Sequence, residues 1–104
     1  MAEELETPTF TRQVQEALSD DEFRALQLHL VLRPGAGDVI AGTGGLRKIR
    51  WRLQGRGKRG GARVIYYWKS AAGQIFLLYL YAKNERSNLS PPELRILRDL
   101  VAGD

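Results

Sequence analysis

Apolar positions along the chain follow two different periods. Phe10, Val14, Ala17 and Leu18 recur every three to four residues, which predicts a helix with one buried face. Thr7-Pro8 supplies its start, with threonine as the N-cap and proline at the first helical position, where its missing N–H costs nothing. A second helix opens on Ser19-Asp20-Asp21-Glu22, a capping box whose acids also sit where the helix dipole favours negative charge. It buries Phe23, Leu26, Leu30 and Val31 and ends at Pro34-Gly35. The glycine-rich segment that follows, through Gly45, reads as a loop.

From Leu46 the period becomes two. Ile49, Trp51 and Leu53 point one way and Lys48, Arg50 and Arg52 the other, giving a strand with one core face and one basic face. Residues 54–61 are a hairpin loop rich in glycine and cations, and residues 62–69 form a second strand of β-branched and aromatic residues. After a turn at residues 70–73, residues 74–83 form a third strand, apolar on both faces and therefore expected to be central. Residues 2–6 fit a short edge strand. The last helix starts at Ser90-Pro91, with Glu93 completing a capping box and Leu89 and Leu94 placed as a hydrophobic staple. Leu94, Leu97 and Val101 make its buried stripe, with Leu100 beside it. The expected architecture is α+β: one domain over residues 1–104, order (β)ααβββα, with two N-terminal helices and one C-terminal helix on an antiparallel sheet of three to four strands.

A chain of 104 residues has room for one small core, and 43% hydrophobic with 27% charged residues is a globular balance. The absence of cysteine excludes a disulfide scaffold, a thiolate metal site and a cysteine nucleophile, and it fits a cytoplasmic protein. The polar, acidic N-terminus does not read as a signal peptide. The longest apolar run, residues 75–82, is too short to cross a bilayer, so no membrane association is expected. His29 is the sole histidine and is read as structural or as a surface residue; without partners it excludes a zinc site and a Ser-His-Asp triad. No cofactor or metal is expected.

The net charge of +4 conceals a strong asymmetry. Residues 1–38 carry eight acids and three bases, whereas residues 39–84 carry ten bases and no acid. Mixed signs are the usual solution for solubility, so a one-signed stretch of this length favours a polyanionic partner over a merely solvated face. Gly55-Arg56-Gly57-Lys58-Arg59-Gly60 matches G-x-G-x-x-G, but a strand follows it rather than a helix, which rejects a dinucleotide fold. Its glycines would instead expose backbone N–H groups while Arg56, Lys58 and Arg59 reach phosphates.

With no acid in the basic half, chemistry there must use Lys, Arg and Tyr. That set suffices for RNA cleavage, because RNA supplies its own nucleophile, the 2′-hydroxyl. A Lys or Tyr of tuned proton affinity can move the protons, and an Arg can stabilise the phosphoryl oxygens. Tyr81 and Lys83 stand two apart at a strand end, and in a meander Arg63 lies near them, with Lys58 reaching in from the loop. The same spacing fits Tyr81 as a core aromatic and Lys83 as a solvated strand end.

The run Gly42-Thr43-Gly44-Gly45-Leu46-Arg47-Lys48-Ile49-Arg50, with residues 35–40 before it, resembles the HigB-type branch of the RelE/ParE toxin superfamily. So do Gly57-Lys58-Arg59-Gly60-Gly61-Ala62-Arg63-Val64-Ile65-Tyr66-Tyr67, Tyr81-Ala82-Lys83-Asn84-Glu85 and the Leu89-Ser90 helix start. The resemblance runs from about Phe10 to Leu100. It implies the toxin of a bacterial type II toxin–antitoxin pair, a ribosome-dependent endoribonuclease (mRNA interferase) that enters the A site and cuts translated mRNA, with a cognate antitoxin as partner. It further implies that Arg63 stabilises the phosphate, that Tyr81, Lys83 and Lys58 belong to the catalytic set, and that Arg47, Lys48, Arg50, Arg56 and Arg59 hold RNA. ParE relatives share the fold but poison DNA gyrase without the cleavage residues, so fold alone does not separate the two activities. A non-catalytic nucleic-acid-binding module is the third alternative.

Overall fold

The computed structural model describes residues 2–52 and 61–102. The expectations that rest on Leu53, Arg56, Lys58 and Arg59 lie outside the described residues.

Helices α1 (Pro8–Ala17) and α2 (Asp20–Leu32) begin where their caps dictate. Thr7 Oγ1 accepts the Phe10 N–H at 3.0 Å. In the second cap, the Glu22 carboxylate accepts the Ser19 N–H at 2.8 Å while Ser19 Oγ accepts the Glu22 N–H at 3.1 Å. Each bond supplies a partner that the first helical turn lacks. Helix α3 (Pro91–Leu100) repeats the box with Ser90 and Glu93.

The sheet comprises β1 (Glu3–Glu6), β2 (Asp38–Val39), β3 (Leu46–Trp51), β4 (Ala62–Lys69) and β5 (Gln74–Ala82), in the order β1-β5-β4-β3-β2. The α+β class stands, with three differences from expectation. The sheet has five strands rather than three to four, because Asp38–Val39 inside the glycine-rich loop pairs with Lys48 and Arg47. It is mixed rather than antiparallel, because β1 runs parallel to β5. Two helices and three strands separate these partners in sequence, so no hairpin constrains their direction. The central position belongs to β4, and β5 lies one place out, flanked by β1 and β4.

The sheet separates two apolar clusters. On one face Phe10, Val14, Leu18, Leu26 and Leu30 from α1 and α2 pack on Ile49, Val64, Tyr66, Ile75, Leu77 and Leu80. On the other, Leu89, Leu97 and Val101 pack on Leu46, Ile65, Leu78 and Tyr81. Burial on both faces accounts for the near-continuous apolar reading of β4 and β5.

A bulge governs which side chains reach which face. Tyr66 pairs with Leu77, but the next pair is Ile65 with Tyr79, so Leu78 is an extra residue in β5. Strand alternation has period two, and one inserted residue inverts everything beyond it. An unbroken ladder would set Leu80 opposite Arg63. The bulge sets Tyr81 there instead.

Candidate active site

Three residues from three adjacent strands form a transverse row. Arg50 of β3 is the register partner of Arg63 in β4, and Arg63 is the partner of Tyr81 in β5. Directly opposed residues of neighbouring strands share a face, with Cβ atoms about 4.5–5.5 Å apart. The sheet therefore sets two guanidinium-bearing side chains and a phenol side by side.

The row grades from exposed to buried. Arg50 is exposed, whereas Arg63 keeps 6% of its surface and Tyr81 also 6%. Arg63 Nη1 donates to the Ala62 carbonyl at 3.4 Å, and the phenol of Tyr81 donates to the Ser87 carbonyl at 3.3 Å. Burial pushes the Tyr81 phenol above its ordinary pKa, and the charges of Arg63 and Arg86 pull it back down. Lys83 follows two residues beyond Tyr81, where the chain leaves the strand. Its backbone N–H donates to the Gly61 carbonyl at 3.0 Å, continuing the ladder one step past the pairing of Ala62 with Ala82. At about 3.4 Å of rise per residue, its Cα lies about 7 Å along the strand from that of Tyr81.

Lys48 occupies the same face, opposite Ile65, one row nearer α3. Its Nζ donates to Asn88 Oδ1 at 3.0 Å. Lys48 and Tyr81 also line one small cleft with Ile65, Asn88, Leu89 and Leu94. The structure thus brings together Lys48, Arg50, Arg63 and Tyr81, with Lys83 at the margin.

It does not bring Arg47 to them. Alternation places Arg47 with Ile49 and Trp51 on the α2 side. Arg47 Nη1 donates to the carbonyls of Gly37 and Gly35 at 2.8 and 3.3 Å, and its guanidinium lies 5.8 Å from the centre of the Trp68 ring. It clasps residues 33–40 to the sheet. The His29 ring lies 5.6 Å from that of Trp51.

The residue that sequence reasoning missed is Arg86. Its guanidinium donates from Nη1 to Glu93 Oε2 at 3.0 Å and from Nη2 to Glu93 Oε1, and from Nε and Nη2 to the Asn88 carbonyl at 3.3 and 3.2 Å. It lies 6.0 Å from the centre of the Tyr81 ring. Glu93 is legible as a helix cap, but nothing in the spacing of residues 86 and 93 announces the pair. It arises from the path of residues 83–90.

Among the described residues no group of three or more His, Asp or Glu side chains could hold a metal, and no helix is long and apolar enough to cross a membrane. The row across β3, β4 and β5 gives a small α+β protein a sheet face on which two arginines stand beside a phenol. A family model described as the RelE toxin of the RelE/RelB toxin–antitoxin system matches residues 5–103, and the chain belongs to that family. It is accordingly the toxin of a toxin–antitoxin system, with a cognate antitoxin as its partner.

Proposed function

We propose that this toxin is an endoribonuclease of the HigB type, which acts in the ribosomal A site and cuts mRNA without a metal. The observation that carries the reading is the Arg50–Arg63–Tyr81 row, two opposed cations beside a buried phenol on one sheet face. In the proposed reaction the 2′-hydroxyl loses its proton and its oxygen attacks the adjacent phosphorus. The bond to the 5′-oxygen breaks as that oxygen gains a proton. The products are a 2′,3′-cyclic phosphate and a free 5′-hydroxyl.

Arg63 has the role of neutralising charge on the phosphoryl oxygens. Its near-complete burial supports this, because a guanidinium shielded from water acts more strongly on a developing charge. Tyr81 and Lys83 are the proton-transfer candidates among the described residues, and Lys58 is a further one outside them. Arg50 and Lys48 lead the RNA backbone across the sheet, and Arg56 and Arg59, outside the described residues, are further candidates for holding it. Arg47 drops out of this set, since its guanidinium holds backbone carbonyls on the far side.

The test is direct. Purified chain is mixed with ribosomes stalled on an mRNA with an open A site, and the products are resolved on a sequencing gel. Cleavage within the A-site codon is expected, with Arg63→Ala slower by about 10²–10³ and free mRNA uncut. Equal cleavage by Arg63→Ala would overturn the assignment of the site. Absence of cleavage by the native chain would overturn the nuclease reading itself.

A further inference from the structure

We propose that Arg86 is a positioning residue for Tyr81, a fixed cation that Glu93 and the Asn88 carbonyl hold against the phenol ring. The inference rests on the reading of Tyr81 as a proton-transfer group.

A lone arginine on a chain connection samples many rotamers, so its charge is spread through solvent. Arg86 is held instead by a two-pronged bond to one carboxylate and by two further bonds to a carbonyl. Guanidinium and carboxylate planes match in such a fork, which fixes orientation as well as distance. Glu93 is itself immobilised, because Oε1 also accepts the Ser90 N–H at 2.8 Å in the capping box of α3. The helix start therefore anchors Arg86, and Arg86 stands 6.0 Å from the Tyr81 ring centre, within reach of a cation–π attraction. The phenol is tethered to the same connection through the Ser87 carbonyl. Residues 86–88 thus hold both the ring and its cation.

Among the described residues, charged and titratable groups approach Tyr81 from several elements, Lys83 following it two residues on, just past the end of β5. Arg63 faces it from β4, and Tyr79 lies beside it in β5 with ring centres 6.5 Å apart. Lys48 shares a cleft with it on the α3 side. Towards α1, a second cleft of about 390 Å³ is lined by Tyr81 together with Glu16, Glu85 and Arg86. Burial opposes ionisation of the phenol, and among the described residues the charges of Arg63 and Arg86 favour it. Arg63 is assigned to the phosphate. Arg86, committed to Glu93, is the cation that stays with the phenol through the reaction.

The test reads Tyr81 itself before it reads activity. The intact chain is prepared with ¹³Cζ-labelled tyrosine, the Tyr81 signal is assigned with Tyr81→Phe, and its titration is followed in native, Arg86→Gln and Arg86→Lys proteins. Removing one charge at about 6 Å should raise the titration point by about half a unit to two units in Arg86→Gln. Arg86→Lys keeps the charge and should stay closer to the native value. The alkaline limb of the cleavage pH profile should move in the same direction and order. Identical titration in native and Arg86→Gln proteins would overturn the proposal. So would a shift of equal size in Arg86→Lys, which would show that charge is not the cause. A charge-dependent titration shift in a chain that cuts no RNA would uphold the role of Arg86 and remove the nuclease reading instead.

Discussion

Replacing Tyr66 by phenylalanine removes one oxygen from the middle of the molecule. The Tyr66 side chain is fully buried, with 0% exposure, and its hydroxyl is saturated in both senses. It accepts the Gly37 N–H at 2.8 Å and donates to the Pro34 carbonyl at 2.8 Å. The pair of bonds ties residues 33–40 onto the centre of β4, and Arg47 reinforces the tie through the carbonyls of Gly35 and Gly37. Without the hydroxyl, the buried Gly37 N–H loses its partner outright, at a cost of about 1–3 kcal/mol. Pro34 is only half-buried, so water can replace part of its lost bond and its share falls at the low end of that range. The segment packs tightly on the ring, since a Cβ on Gly37 would lie 2.7 Å from it. The expected loss is about 2–3 kcal/mol, which for a domain of this size lowers Tm by about 8–12 °C. Differential scanning calorimetry with matched urea titrations measures it. Tyr67→Phe is the control, since the ring of Tyr67 lies under the Arg98 guanidinium and the change should stay within about 0.5 kcal/mol. A loss below about 0.5 kcal/mol in Tyr66→Phe would refute the reasoning that the hydroxyl pins this segment.

Three further outcomes follow from the structure. Gly61 immediately precedes β4 at φ +63°, and a Cβ there would clash with the Trp51 carbonyl oxygen, so Gly61→Ala should cost about 2–4 kcal/mol in urea unfolding. Glu4 is half-buried with Oε2 unpartnered, and burial raises its pKa to about 7; its protonated form is the one the fold favours, so stability should fall as pH rises from about 4.5 to 7, by about 1–2 kcal/mol after allowance for solvent screening, and Glu4→Gln should flatten the pH dependence of the urea midpoint. Arg50→Ala should lower the salt dependence of RNA binding by about one unit of slope and leave Tm near native, whereas Arg47→Ala should lower Tm and leave the slope alone, which calorimetry and filter binding at several salt concentrations distinguish.

The parts of the fold that were legible in the sequence are those specified locally. Thr7-Pro8, Ser19 with Glu22 and Ser90 with Glu93 mark the helix starts because a cap acts over three residues. The change of period at Leu46 reveals β3 because alternation is a property of neighbouring residues. What escaped depends on partners distant in sequence. Asp38 and Val39 are both exposed and too few to show a period, so only their pairing with β3 makes them a strand. The parallel direction of β1 is a property of β5, not of residues 3–6. The opposition of Arg63 and Tyr81 was expected from the meander, but the register that achieves it depends on the bulge at Leu78, and Leu77-Leu78 reads as continuous apolar sequence with no mark of an inserted residue. Alternation from Ile49 and Trp51 does place Arg47 away from Lys48 and Arg50, whereas the bond between Arg86 and Glu93 has no local signature at all.

The central claim is that this cationic sheet face cuts translated mRNA through Arg63. Its most direct measurement is to induce the chain alone in a bacterial host and map new mRNA 5′ ends across the transcriptome, beside an Arg63→Ala strain with matched protein level. The account predicts growth arrest with 5′-hydroxyl ends in register with codons, confined to translated messages and lost in Arg63→Ala. Growth arrest without such ends, or the same ends in both strains, would contradict it.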